Sequence, residues 1–261
     1  MNPTESTAIY VGTAGWSLRK EVAAEFGSEG SHLQRFASQL NAVEINSSFY
    51  RPHRRSTYER WAASTPMNFK FSVKIPKKLT HEKRLVDCEV ELQAFIDQVS
   101  GLGEKLGPLL VQLPPSLSWS ESPAEAFFSG LRAVHSGSVV CEPRHVSWFD
   151  DQPTRQLRNF AVGRVAADPA VVSAAALPEG DLATCYFRWH GSPRVYYSSY
   201  DGSKLRTLAD QLLALKSSSA EVWCIFDNTA ENAAIQNALE LTRLVSGIDG
   251  LASTTLRLKM Q

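Results

Sequence analysis

Short apolar runs alternate with helix-patterned segments along the whole chain, and few folds accept that alternation. It builds βαβ units, whose strands lie parallel and need cover on both faces. The first run, Ile9-Tyr10-Val11, stops at Gly12-Thr13-Ala14-Gly15, and a helix near Ser31 sets Leu33, Phe36, Ala37 and Leu40 on one face. Seven further strands are predicted at residues 42–46, 69–74, 109–113, 139–142, 163–168, 185–189 and 222–226. Between them fall a short helix around Tyr58, Trp61 and Ala62, a clear one with Leu92, Phe95, Ile96 and Val99, and one burying Phe127, Phe128 and Leu131. The last of these opens on Ser122-Pro123-Ala124-Glu125, which reads as a capping box with proline at the first helical position. A helix near Pro153, a long one with Leu205, Leu208, Ala209 and Leu212, and a closing one over about residues 230–245 complete the series. Gly107-Pro108 reads as a break ahead of the fourth strand, and residues 169–180 carry no readable period. Eight strand and helix units predict an α/β protein with a single (β/α)₈ TIM barrel, one domain over residues 1–261.

Composition excludes several classes. With 43% hydrophobic and 21% charged residues, the 261-residue chain has enough apolar content for a large core and is not disordered. Lys plus Arg (27) balances Asp plus Glu (27), so the molecule as a whole has no field to attract nucleic acid or a membrane surface, and any basic site must be local. Residues 1–7 lack the apolar core of a signal peptide, and no run is long enough to span a bilayer, so a cytoplasmic protein without a membrane role is expected. Cys88, Cys141, Cys185 and Cys224 are far apart, without CxxC spacing, and read as small buried hydrophobes rather than a disulfide or a thiolate metal site.

A charge within a strand buried on both faces is costly unless paired, so such residues are the informative ones. Period two places Glu44 with Asn46, Lys70 with Ser72 and Lys74, and Tyr186 with Arg188 and His190. Adding Gln112, Glu142, Asp168, Asp227 and Asn228 gives a polar residue at or near the end of every strand from the second to the eighth, the face where barrel enzymes hold their sites. The plainer alternative is a ring of salt bridges, with Glu44, Glu142, Asp168 and Asp227 neutralised by Lys74, Arg144 and Arg188 and supplying only rigidity. Aromatic residues share these loops: Trp16, Phe49, Tyr50, Trp148, Phe149, Tyr196, Tyr197 and Tyr200. Each taken singly packs a loop on the rim, but together beside donors they suit a sugar or a base. A basic rim of Arg51, His53, Arg54, Arg55, Lys74, Lys77, Lys78, His81, Lys83 and Arg84 follows the second and third strands, and reads either as an anion or nucleic-acid surface or as a solvated loop.

At these residues the chain resembles the YecE-like family, a domain of unknown function numbered 72. The family's Gly-Thr-Ser-Gly-Trp-Ser is similar to Gly12-Thr13-Ala14-Gly15-Trp16-Ser17, and its Val-Glu-Ile-Asn-Ser-Thr-Phe-Tyr to residues 43–50. Val73-Lys74 with Thr80-His81, Lys105-Leu106-Gly107-Pro108 running into Gln112-Leu113-Pro114-Pro115, and Tyr186-Phe187-Arg188-Trp189-His190-Gly191 extend the likeness over nearly the whole length. The family's Glu-Phe-Arg-His-x-Ser-Trp-Phe resembles residues 142–149 and its Phe-Asn-Asn resembles residues 226–228. Leu18, Pro143 and Asp227 depart from the family's pattern, and pocket shape and charge are expected to differ there. The resemblance implies a TIM barrel and supplies no activity.

The expectation is an enzyme acting on a phosphorylated or polyhydroxylated substrate, such as a phosphoester or nucleic-acid hydrolase. Its catalytic candidates are Glu44, Glu142, Asp168, Arg188 and His190, with Glu44 or Glu142 as general base and His190 or His145 as acid. Its ligand-binding candidates are Trp16, Asn46, Tyr50, Lys74, His81, Gln112, Arg144, His145, Trp148 and Asn228. No cofactor is assigned; a divalent metal on Glu44, Glu142, Asp168 and His190 is a variant that no HxH or HExxH spacing supports. A glycosidase using Glu44 and Glu142 ranks lower, because the cations depress a general acid's pKa. The expected partner is a small anionic or sugar-like ligand, with nucleic acid a second option through the basic rim; a non-catalytic nucleotide or metabolite binder is the alternative from another class. Oligomeric state is not legible.

Overall fold

The computed structural model describes residues 8–216, 218 and 221–258. Its strands are β1 (Ala8–Thr13), β2 (Ala42–Ile45), β3 (Lys70–Lys74), β4 (Leu106–Gln112), β5 (Val139–Glu142), β6 (Val162–Arg164), β7 (Ala166–Asp168), β8 (Glu179–Gly180), β9 (Thr184–Trp189) and β10 (Glu221–Phe226). Its α-helices are α1 (Lys20–Ala23), α2 (His32–Phe36), α3 (Ser47–Tyr50), α4 (Arg55–Ala63), α5 (Glu89–Val99), α6 (Glu121–Val134), α7 (Asp151–Asn159), α8 (Gly202–Lys216) and α9 (Ala233–Leu258).

The result is an α/β fold with two parallel-rich sheets, ordered β1-β10-β9-β7 and β2-β3-β4-β5-β6-β8. All pairings are parallel except the short β6–β8 pair. The sheets meet twice. An isolated bridge joins Ala14 to Glu44, and the Gly15 N–H donates to the Glu44 carbonyl at 2.9 Å. At the other seam only Val165 separates β6 from β7. Gly12 permits the first seam: a Cβ there would lie 2.0 Å from the Ala42 carbonyl oxygen, so β1 and β2 approach only where position 12 lacks a side chain.

Both faces of the strands are buried, as parallel pairing requires. One face packs beneath helices, where Leu33, Phe36, Ala37 and Leu40, then Leu92, Phe95, Ile96 and Val99, then Leu205, Leu208, Ala209 and Leu212 are all buried as their periodicity dictates. The other face carries a separate cluster drawn from both sheets: Ala42, Leu110, Val140, Val165, Tyr186, Trp223 and Ile225. The four cysteines are buried and form no disulfide. Among the described residues no helix is long and apolar enough to cross a membrane.

The structure corrects several local readings. Gly107-Pro108 does not break the chain; it lies inside β4, where the register with β3 shifts between Phe71 and Val73. Proline has no N–H for a ladder, and the bulge absorbs that loss, while the Pro108 carbonyl accepts from the Ser72 hydroxyl at 2.9 Å. Ser122 is not a cap either: α6 begins at Glu121 after Ser120, and Pro123 sits within the first turn, where its missing N–H costs nothing. A capping box does form at Ser31 and Gln34. The sixth predicted strand is divided at Val165, and residues 169–180 hold a 3₁₀ turn (Ser173–Ala176) followed by β8. The closing helix continues well past residue 245.

Candidate functional site

Where the strands end, the inner face changes from apolar to charged. Tyr186 and Arg188 project inward from β9, Glu44 from β2, Ser72 and Lys74 from β3 and Glu142 from β5, and all are buried. The side chain of Arg188 has no exposure and forms the hub. Its Nε and Nη2 donate to the two oxygens of Glu44 at 2.9 and 2.8 Å, a bidentate pair. Its Nη1 reaches Glu142 Oε2 at 3.0 Å, and Nη2 also lies 3.0 Å from Asp227 Oδ2. The Tyr186 hydroxyl adds a donor to Glu44 at 3.0 Å, beside Ser72 Oγ at 2.9 Å. Burial works to lower the Arg188 pKa, but Asp227, Glu44 and Glu142 outweigh it and hold the guanidinium charged.

Glu142 is equally saturated. Gln112 donates to its Oε2 at 3.0 Å, while Arg144 Nη2 and His190 Nε2 both lie 2.8 Å from its Oε1. Burial pushes the Glu142 pKa up, yet Arg188, Arg144 and His190 prevail and hold it well below the usual carboxylate range. Asp227 behaves alike: burial raises its pKa, and Arg188 and His190 bring it down below its ordinary value. His190 faces a carboxylate on each side, with Nδ1 3.0 Å from Asp227 and Nε2 near Glu142.

Lys74 differs from these. It is 5% exposed; its backbone carbonyl accepts from the Ser48 hydroxyl at 2.7 Å, but its ammonium makes no ion pair or hydrogen bond with the described residues and sits 4.0 Å above the centre of the Phe49 ring. Burial, then the Arg188 guanidinium, pull its pKa down to about 8, against Glu44, Asp227 and Glu142. His81 packs edge-on to the same ring at 4.9 Å, with Nδ1 2.8 Å from Thr80 Oγ1. Its pKa is lowered by burial first, then by Lys74 and Arg144. Glu44, Glu142 and Asp227 thus face Arg188, Arg144 and Lys74, a balanced set in which Lys74 is the cation without a carboxylate in contact. Phe49 and Tyr50 also line a neighbouring cavity of about 320 Å³ with Pro76, Leu79 and Phe95.

Of the residues expected in a site, Glu44, Lys74, Gln112, Glu142, Arg144, Arg188 and His190 come together, with His81 against Phe49 at the edge. Others are placed elsewhere. The Asp168 carboxylate accepts from Tyr200 OH at 2.8 Å and touches none of the clustered acids. Trp148 is a core residue, 1% exposed, donating to the Leu117 carbonyl. His145 bonds locally to Ser147 through Nδ1, and no contact joins it to the cluster. Trp16 packs on Trp61, and Tyr50 is largely exposed against Phe49. Asn228 donates to Ser198 and Asn237, leaving its buried Oδ1 without a partner, as is Oδ1 of Asn46. Asp227, Tyr186 and Ser72 join the cluster from outside the catalytic and ligand-binding candidates; the sequence places Asp227 at a strand end, and period two aligns Tyr186 with Arg188 and Ser72 with Lys74.

Two expected chemistries lose their footing here. Glu44 and Glu142 both accept hydrogen bonds at both oxygens, which are therefore already engaged, and Glu142, held well below the usual carboxylate range, is a weak general base. Of the four ligands a divalent ion would need, Glu44 and Glu142 are engaged by Arg188 and Asp168 by Tyr200, and among the described residues no group of three or more acids, His or Cys is placed to hold a metal ion. Within the basic rim Arg55 pairs with Glu59, Lys77 with Glu82, and both Lys78 and Lys83 with Glu91, so four of its cations are partly neutralised by three acids.

Comparison with known proteins fits this organisation. UPF0759 protein YecE of Escherichia coli K12 is 30% identical over 173 residues, covering 64% of this chain and 61% of YecE, so the match spans under two thirds of that relative. UPF0759 protein YunF of Bacillus subtilis 168 is 24% identical over 96% of this chain and 99% of its own. Crystal structures of DUF72 family proteins from Enterococcus faecalis V583 (TM-score 0.79, 20% identity, 92% of this chain and 96% of that one) and Thermotoga maritima MSB8 (TM-score 0.73, 24% identity, 91% and 99%) share the fold. So, more distantly, does 3-keto-D-glucoside 4-epimerase YcjR of E. coli (TM-score 0.52, 11% identity, 92% and 99%). Residues 10–256 match the family described as "Protein of unknown function DUF72", and with that match over most of its length the chain belongs to the DUF72 family.

Proposed function

We propose that the two sheets act as one closed (β/α)₈ barrel whose C-terminal mouth is an enzyme's binding pocket for a small phosphorylated or otherwise anionic, hydroxyl-rich substrate. The Ala14–Glu44 bridge, the Val165 junction and the core shared between the sheets support the barrel. One observation carries the ligand class: Lys74 is a nearly buried ammonium with no anion in contact. A buried charge without a partner is costly, and an incoming anion would relieve that cost. Beyond burial, Arg144, 20% exposed at its side chain, and Lys74 both act on His81 and keep it neutral, so the mouth presents two cations beside a neutral imidazole above a neutralised floor.

In this reading Arg188, Glu44, Tyr186 and Ser72 form a rigid base, Arg144 and Lys74 hold the anionic group, and His190, between two carboxylates, carries protons. The test is turnover of phosphomonoesters, phosphodiesters, sugar phosphates and glycosides by wild type, Lys74→Met and Arg144→Met. Turnover confined to anionic substrates and lost in both variants is expected. Tight anion binding without turnover of any class would instead establish the non-catalytic binder.

A further inference from the structure

We propose that the Lys74 side chain forms a Schiff base with the carbonyl of a small anionic aldehyde or keto acid held at the mouth of the barrel. This rests on reading the mouth as an anion pocket and adds the substrate's reactive group to it. Lys74 ends β3, is 5% exposed, and has the Phe49 ring beneath its ammonium. Lysines this buried are ordinarily paired. Glu44, Glu142 and Asp227, the acids that influence Lys74, are all within the grasp of Arg188, so none is committed to the amine. What remains is a nitrogen in a desolvated, aromatic-walled setting next to a guanidinium, an environment that favours the neutral, nucleophilic amine.

The chemistry closes without a further reactant. The amine lone pair attacks the carbonyl carbon, the C–N bond forms as the carbonyl π bond breaks, and a proton passes from nitrogen to oxygen to give a carbinolamine. The hydroxyl then leaves as water with one proton, and the C=N bond forms. From the ammonium form, the products are a protonated imine and water, with no net change in charge or oxidation state. The iminium occupies the position of the ammonium it replaces, so the balance with Arg188, Glu44, Glu142 and Asp227 is preserved.

The full chain would be incubated with glyoxylate at pH 7.5 and reduced with sodium cyanoborohydride, and the modified lysines located by peptide mass spectrometry. Lys74 is expected to label at least about tenfold faster than an ordinary surface lysine: at that pH an amine titrating near 8 is neutral about 200 times more often than one near 10.5, and burial with lower basicity offsets part of that gain. Sulfate should slow the labelling. Lys74→Arg should keep the charge and bind sulfate but leave no fast site. Labelling spread over surface lysines, with Lys74 no faster than they are, would overturn the Schiff base. If sulfate still bound in a Lys74-dependent manner in that case, the anion pocket would stand; if sulfate did not bind either, both readings would fall.

Discussion

Lys74 ties anion affinity to pH in a direction and size that follow from its surroundings. Its ammonium titrates at about 8, and an anion in contact raises that value, so the protonated form binds and the neutral form does not. Affinity should therefore be flat below pH 8 and fall about tenfold between pH 7 and pH 9, about 1.4 kcal/mol. At pH 8 about half a proton should be taken up per anion bound. Sulfate is the suitable probe, because it does not titrate in this window, and His81, whose pKa is lowered, is neutral throughout it. Titration calorimetry in buffers of different ionisation enthalpy reads both quantities. The linkage has a second face in stability. Because the folded-state pKa lies below the unfolded value of 10.5, the unfolded chain binds the extra proton between about pH 8 and 10.5, and stability rises with pH there. Below pH 8 the buried ammonium costs a few kcal/mol at most, so Lys74→Met should stabilise the protein at pH 7 by roughly 1–3 kcal/mol while abolishing sulfate binding. Sulfate affinity equal at pH 7 and 9 with no proton uptake, or a destabilised Lys74→Met, would refute the reasoning.

Arg188→Met leaves three buried carboxylates without their shared cation and should cost about 3–5 kcal/mol in urea denaturation; a loss under 1 kcal/mol would mean the network relaxes freely. Glu142 and Asp227 have depressed pKa values, so their contribution to stability is present above the ordinary carboxylate range and is lost as pH falls through the folded-state values; Glu142→Gln should flatten the decline below pH 4.5, and an unchanged slope would contradict the assignment. Trp148→Phe removes the hydrogen bond to Leu117 and some buried volume, so about 1–3 kcal/mol of stability should disappear with sulfate affinity intact, whereas lost affinity would return Trp148 to the site.

The elements legible in the sequence are those whose periodicity is set by burial. Leu92, Phe95, Ile96 and Val99 announce α5, because one helix face must meet the sheet, and Val139 to Glu142 announce β5, because both its faces are covered. What escaped was decided by tertiary contact. Gly107-Pro108 looks like a stop, yet Gly107 is glycine because the Trp223 ring would lie 2.5 Å from a Cβ, a residue more than a hundred positions away. At the site, period two aligned Tyr186, Arg188 and His190, but no local pattern says that Arg188 takes both oxygens of Glu44, or that Asp168 turns to Tyr200. Trp148 and His145 share a loop with Arg144 and were grouped with it by position along the chain. Their side chains point to the core and to Ser147, and only the fold distinguishes those directions.

The cations of the cluster differ in how completely they are paired, and that order fixes what each is free to do. Arg188 meets three carboxylates at no exposure, so a ligand gains nothing from it directly; its removal should damage the fold before it alters recognition. Arg144 shares Glu142 with His190 and keeps a fifth of its side chain exposed, so its removal should weaken both stability and binding. Lys74 makes no ion pair, and its removal should weaken binding while favouring the folded state. A cluster serving rigidity alone gives every member the same sign of effect on stability. The opposite sign at Lys74 is what separates a binding site from a ring of salt bridges, and it is measurable before any substrate is known.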